Sequence, residues 1–549
     1  MNYFKFIPIH ALTLAVLMFA ASCSQSSSPA DGSSSGSKSE VNAPLPALTG
    51  TCDVATFPSA AWTQCELDNF AATSENITAH ADILTGVVTA TASYQAARLA
   101  TVLADPERQP NPNSTTVASP IDPRLQGWAE RGGLVQTVVY TSRSGATLSG
   151  HIWATRSGAA KRPGIVIING SVIGFENTYW FLAQALAKSG FVVMTFDTQG
   201  EGMSDQFGEA PDQLEDAFAG TPGVGLLGPQ AGLGGNGLPF YDGGEDALDF
   251  FLSTPGNPYV PVPSRTSGTS HAAKQARRVA SGLNNAYNPL WNLLDPTRIG
   301  FTGHSYGAEA TSWLTQNDPR VTTGVALDDL CIPVSPSPDE ATSISTASVN
   351  TIGGALPAPA AYGLPPECFG APAGPAPKIT KPELSLTSDY LLVPILYAAP
   401  PKPDDKSLGA LQYEKLGVDT GSIVIRGGTH YEFNDTPAVL PASLRGIDLV
   451  TWYTTAWFIK YLLHDPKADA MLLTSRWRDD AAAGAVDPAG DANLYSWHYR
   501  SWMNIGLDGG GRFNCRDLRR GCVGQVDPSK DGGLADYSFL AVDTAPDGP

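Results

Sequence analysis

The chain has 549 residues, 42% of them hydrophobic and 16% charged, enough apolar material for one large domain with insertions or for two ordinary domains. A formal charge of -19 argues against nucleic acid and anionic lipid as partners and favours solubility. Its 56 glycines and 44 prolines predict long irregular loops, while tryptophans and tyrosines spread through the chain beyond residue 60 exclude a disordered protein.

Residues 1–22 carry one lysine, an apolar run and then small residues, the pattern of a secretion signal too short for a comfortable membrane span. Ala20, Ala21 and Ser22 before Cys23 resemble a bacterial lipoprotein signal. That resemblance implies lipidation at Cys23 and a place at the outer membrane or cell surface. Ala20 stands where leucine is usual, so plain secretion is the alternative. Residues 23–48 read as a Ser/Gly tether. The other six cysteines fall into neighbouring pairs: Cys52 with Cys65, Cys331 with Cys368, and Cys515 with Cys522. In an exported protein these predict disulfides, and neighbour pairing closes the shortest loops. No CxxC or Cys/His cluster suggests a metal site.

Residues 49–133 form an N-terminal extension with a helix predicted over ATASYQAARLATVLA. From 134 the pattern changes. LVQTVVYTS and TLSGHIWAT alternate around Arg143–Gly145 and predict a hairpin. PGIVIING and FVVMTFD are apolar, β-branched runs of the kind buried on both faces, with a helix predicted between them over YWFLAQALAKSG. A helix over GGEDALDFFLS and strands over RIGFTG, GVALDDL, LLVPILYAA and GSIVIRGG follow, then a helix over LVTWYTTAWFIKYLL. This alternation predicts an α/β domain at 134–465, a mostly parallel sheet with helices on both faces. Long insertions at 207–240 and 331–385 would form a cap or a walled cleft, and 466–549 reads as a polar C-terminal extension.

The chemistry centres on GHSYG, Gly303 to Gly307, between the RIGFTG strand and a helix beginning AEATSWL. A serine on so tight a turn needs small neighbours, and the turn lifts Ser305 above the sheet edge and aims the helix N-terminus at developing negative charge. The serine needs a base, and His430 follows the late strand IVIRGG through a Gly-Gly turn. His304, adjacent to the serine, reads as packing. A carboxylate must then orient His430. Asp328, at the tip of GVALDDL, and Asp404, in the loop after LLVPILYAA, are the two candidates, with Asp328 slightly preferred for its rigid position.

With INGSVIGF (Ile168–Phe175) and FDTQGEGMSD (Phe196–Asp205), these motifs resemble the α/β-hydrolase superfamily over about 134–465. Gly170, Asp197, Gly200, Gly202 and Ser204 match that family's pattern, whereas Asn169 replaces its usual histidine. The resemblance implies an oxyanion hole from the backbone N–H groups of Ser171 and Tyr306, a structural role for Asp197, and no cofactor. It implies hydrolysis of a small or polymeric ester, in the carboxylesterase or lipase-like class, with a membrane met only through the N-terminal anchor. A peptidase or amidase on the same fold, and a non-catalytic surface-binding protein, are the alternatives. A haloalkane-type hydrolase is excluded, because its nucleophile would be an aspartate at position 305.

Overall fold

In the computed structural model the hairpin around Arg143–Gly145 forms as its alternation predicts. β1 (Gly133–Thr141) runs antiparallel to β2 (Thr147–Thr155), with Tyr140 opposite Leu148. The structure describes residues 50–79, 97, 100–108, 127–171, 175–206, 208, 238–265, 267–335, 366–368, 370–390, 397, 400–436, 442–474 and 487–526. The signal, the tether and Cys23 lie outside these residues, as do most of the helix predicted over 90–104 and most of the two insertions.

Among the described residues ten strands make one sheet in the order β1-β2-β4-β3-β5-β6-β7-β8-β9-β10. Here β3 is Arg162–Ile168, β4 Val192–Phe196, β5 Leu294–His304, β6 Val321–Leu327, β7 Glu383–Ser388, β8 Thr420–Ile425, β9 Trp502–Gly506 and β10 Arg512–Cys515. The strands from β4 to β8 pair in parallel, and both outer edges are antiparallel.

The central strands are apolar at successive positions because each face feeds a separate core. On β3, Ile165 and Ile167 pack in a cluster with Trp452, Trp457 and Phe458 of one helix and Leu182 and Leu186 of another. Val166 and Ile168 between them join Phe240, Phe250, Phe251 and Trp313 on the opposite face. The covering helices are α2 (Trp180–Lys188), α3 (Leu238–Phe251), α5 (Tyr306–Asn317) and α7 (Leu444–Phe458); α1 (Ala60–Ala79), α4 (Ala272–Ala280) and α6 (Leu408–Lys415) complete the order up to α7. Each large apolar side chain so buried contributes about 1.5–3 kcal/mol.

Two expectations need correction. The strand between β6 and β8 is ELSLTS, which lies partly inside the stretch read as the 331–385 insertion and is not among the predicted strands. Its Leu384 and Leu386 alternate with hydroxyl residues, and all six positions are buried. Apart from Tyr397, the run LLVPILYAA lies outside the described residues. The tail from 466 is more than a polar extension, because β9 and β10 extend the sheet beyond β8. At five and four residues their runs lie at the short end of what alternation can mark.

All three expected disulfides are present: Cys52–Cys65 (2.04 Å), Cys331–Cys368 (2.00 Å) and Cys515–Cys522 (2.01 Å). They fit an oxidising compartment. Among the described residues no helix is long and apolar enough to cross a membrane. The N-terminal extension packs on the domain: Asn69 of α1 reaches Asp389, Glu66 accepts from the Tyr397 amide (3.1 Å), and Asp53 pairs with Arg519.

Candidate active site

β5 ends at His304, and Ser305 turns the chain into α5 with φ 58° and ψ -124°. A left-handed φ is costly for any side chain but glycine, and such strain persists only where the surroundings enforce it. The enforcing contacts are on both sides. Its amide donates to the Leu327 carbonyl (3.0 Å), and its carbonyl accepts from Ala308 (2.7 Å). The flanking glycines are required by crowding: a Cβ on Gly303 would lie 2.3 Å from the Gly307 carbonyl oxygen, and one on Gly307 2.3 Å from that of Ile168. The serine side chain is left half-buried at the start of a twelve-residue helix.

His430 opens a short 3₁₀ turn after β8, and its N-cap Thr429 accepts from the Tyr431 amide. The imidazole Nδ1 lies 2.6 Å from Asp328 Oδ2. A carboxylate only accepts, so Nδ1 carries a proton, and in the neutral ring Nε2 keeps its lone pair. Asp328 follows β6, is itself left-handed (φ 55°), and takes a second hydrogen bond from the Thr387 hydroxyl on β7. Burial would raise this carboxyl, but His430, the charge of Lys406 and Thr387 outweigh it and hold Asp328 below the usual carboxylate range. Burial and the Asp328 charge push the adjacent Asp329 well above that range.

Asp404, the other candidate, lies on the surface with its side chain 45% exposed, paired to Arg500 at 2.8 Å. Among the described residues no strand leads directly into its loop, and its carboxylate is paired away from His430. Asp197 is a turn residue, as expected: its two carboxylate oxygens accept from the Glu176 (2.9 Å) and Met203 (2.8 Å) amides.

The loop after β3 comes against the serine. A Cβ on Gly170 would fall 3.2 Å from Ser305 Cβ and 3.0 Å from His304 Nδ1. Ser171 is next in this loop and donates its hydroxyl to Glu201 (3.2 Å). Tyr306 opens α5, its ring stacked on Phe240 at 5.1 Å. Ser171 thus follows the glycine that approaches Ser305, and Tyr306 follows Ser305 itself as the first residue of the helix.

His304 does more than fill space. Its ring stands 4.4 Å from the His430 ring, its Nε2 lies 2.8 Å from the His430 carbonyl oxygen, and its Nδ1 lies 2.8 Å from the Tyr179 hydroxyl. Burial, aided by the facing His430, holds it well below the ordinary imidazole range, so it stays neutral. Sequence reasoning also missed Thr387, Lys406 and Tyr179. The order of the elements carries no trace of them, because each meets the site through a side chain brought in from a distant segment.

Glu309 lies near Cys331 and Cys368, but those sulfurs are joined to each other and leave no thiolate to bind a metal. What the site contains is a strained, half-buried serine, an imidazole with a fixed tautomer and an ionised carboxylate behind it, with backbone donors at a helix start. No protein-family model matches this chain, and no curated protein matches it in sequence.

Proposed function

We propose that the protein is a serine hydrolase of carboxylic esters with an α/β-hydrolase fold, exported to the cell envelope or beyond. The observation that carries this reading is Ser305 at a left-handed turn between β5 and α5, beside the buried His430–Asp328 pair. The strand order from β1 to β8, the serine after β5 and the histidine after β8 support it. Ser305 Oγ attacks the ester carbonyl while His430 Nε2 takes its proton. Asp328 stabilises the imidazolium through Nδ1. The N–H groups of Ser171 and Tyr306 receive the oxyanion, the alcohol leaves with the proton held by His430, and water releases the acyl group by the same steps.

The test is hydrolysis of p-nitrophenyl esters from acetate to palmitate, beside Ser305→Ala. The expected result is turnover that falls in the variant by up to about a millionfold, with labelling by a fluorophosphonate lost in parallel. Preference for short acyl chains would mark a closed esterase pocket, and preference for long ones a lipase-like groove. Turnover that survives Ser305→Ala would overturn the assignment. Labelling without ester cleavage would favour a peptidase or amidase, and silence in both assays a binding protein.

A further inference from the structure

The two peptide units that meet at Gly170 are each held by a side chain the proposed mechanism leaves unused. Its carbonyl oxygen, on Gly170, accepts from Asn169 Nδ2 at 2.8 Å. The same Asn169 accepts at Oδ1 from the Thr198 amide at 3.0 Å, so the orientation of its side-chain amide is fixed by the two partners together. The Gly170 amide donates to the Tyr179 hydroxyl at 3.0 Å. With its oxygen accepting there, Tyr179 gives its own proton to His304 Nδ1, and His304 Nε2–H donates to the His430 carbonyl. Asn169, Tyr179 and His304 are all buried, and each donor–acceptor direction along the path is determined. One unbroken line of hydrogen bonds therefore joins the loop beside Ser305 to the main chain of His430.

We propose that Asn169 and Tyr179 are positioning residues that clamp the Gly170–Ser171 peptide so that the Ser171 N–H points at the developing oxyanion, and that Tyr179 with His304 locks this loop to the main chain of His430. The inference rests on the ester-hydrolase reading. Its physical content is preorganisation. A peptide held at its carbonyl by Asn169, and on its N-terminal side by Tyr179, presents its N–H without reorienting as charge develops. His304 can serve as the middle link because it is neutral; a charged ring would put a proton on Nδ1 and break the bond from Tyr179. The asparagine where the family resemblance expects a histidine is thus a residue with both a donor and an acceptor, as this clamp requires.

Asn169→Asp replaces the donor to Gly170 with a carboxyl oxygen, and Tyr179→Phe deletes the hydroxyl at the same volume. Tyr453→Phe is the control. It deletes one member of another buried hydroxyl pair, Tyr453–Tyr495 (2.6 Å), outside the clamp. Each protein would be counted by active-site titration, and kcat, KM and affinity for a trifluoromethyl ketone, which forms a tetrahedral adduct, would be measured. The clamp predicts that kcat falls roughly 10- to 100-fold in both variants with KM within about twofold, and that ketone affinity falls by the same factor. Tyr453→Phe should lower the melting temperature and leave both unchanged. Wild-type kcat per titrated site in Asn169→Asp and Tyr179→Phe would overturn the clamp, as would a kcat loss with full ketone affinity. A wild-type protein without Ser305-dependent turnover would overturn the ester-hydrolase reading and the clamp with it; a Ser305-dependent enzyme with unaffected variants overturns the clamp alone.

Discussion

The tips of β6 and β7 each present an aspartate to the segment that carries His430, and they hold it by different handles. Asp328 takes the imidazole itself. Asp389 takes the main chain: its Oδ2 accepts from the Gly427 amide at 2.7 Å and from Asn69 of α1 at 2.9 Å, and its Oδ1 accepts from Ser496. The following Tyr390 amide donates to the Gly428 carbonyl at 3.0 Å. A partner of the ring meets a group whose charge changes during turnover, so its own charge enters the reaction. A partner of the backbone sees no such change and acts only through position. Two buried carboxylates on neighbouring strands thus divide electrostatics from geometry, and mutation should separate the two roles.

The largest effect should come from Asp328→Asn, which keeps the shape but offers His430 a neutral amide; kcat should drop by about 10⁴ with little change in melting temperature. An equally large drop in Asp389→Asn would break the distinction. The expected result for Asp389→Asn is the reverse balance: a loss of about 2–3 kcal/mol in chemical denaturation, from disturbed buried partners, with kcat reduced roughly 10-fold.

The opposite end of β7 sharpens the contrast. Glu383 there accepts from Gln316 (2.9 Å) and Tyr413 (2.7 Å), yet burial pushes its carboxyl up to about 8. Its pKa in the fold is above the ordinary glutamate value of 4.5, so the fold prefers its protonated form. That contribution is complete below the unfolded value and is lost as pH rises through the folded one, with a slope of at most about 1.4 kcal/mol per pH unit. Glu383→Gln should flatten this slope in denaturation curves taken between about pH 5 and pH 9, leaving kcat unaltered; an unchanged slope would refute a neutral Glu383. The smallest effect belongs to Asp404→Asn, which touches one exposed ion pair and should shift stability by less than about 0.5 kcal/mol with no change in turnover.

How far the sequence could be read depended on where polar side chains find their partners. The β-branched runs of β3, β4 and β8 announced themselves, because strands buried on both faces need apolar residues throughout. Ser305 and His430 stood out because the turns that carry them demand glycine nearby. β7 hid because its hydroxyls are satisfied by other segments. Thr387 serves Asp328, Ser385 receives the Leu330 amide (3.4 Å), and Ser388 donates to the Tyr390 carbonyl (3.0 Å). A central strand that services a site therefore looks, in sequence, like a loop. The preference for Asp328 over Asp404 followed the rigidity of a strand tip, and it is the Asp328 carboxylate that lies 2.6 Å from His430. Asp389 and the Tyr179–His304 line had no local signature, since each joins residues separated by tens to hundreds of positions.

The left-handed turn at Ser305 has a consequence for how long a damaged copy survives. Only glycine adopts that backbone without cost, so Ser305→Gly should unfold at a higher temperature than wild type, by the equivalent of about 1 kcal/mol or more. A chain that has lost its nucleophile in this way would persist at full abundance, because folding quality and catalytic fitness pull in opposite directions at this one position.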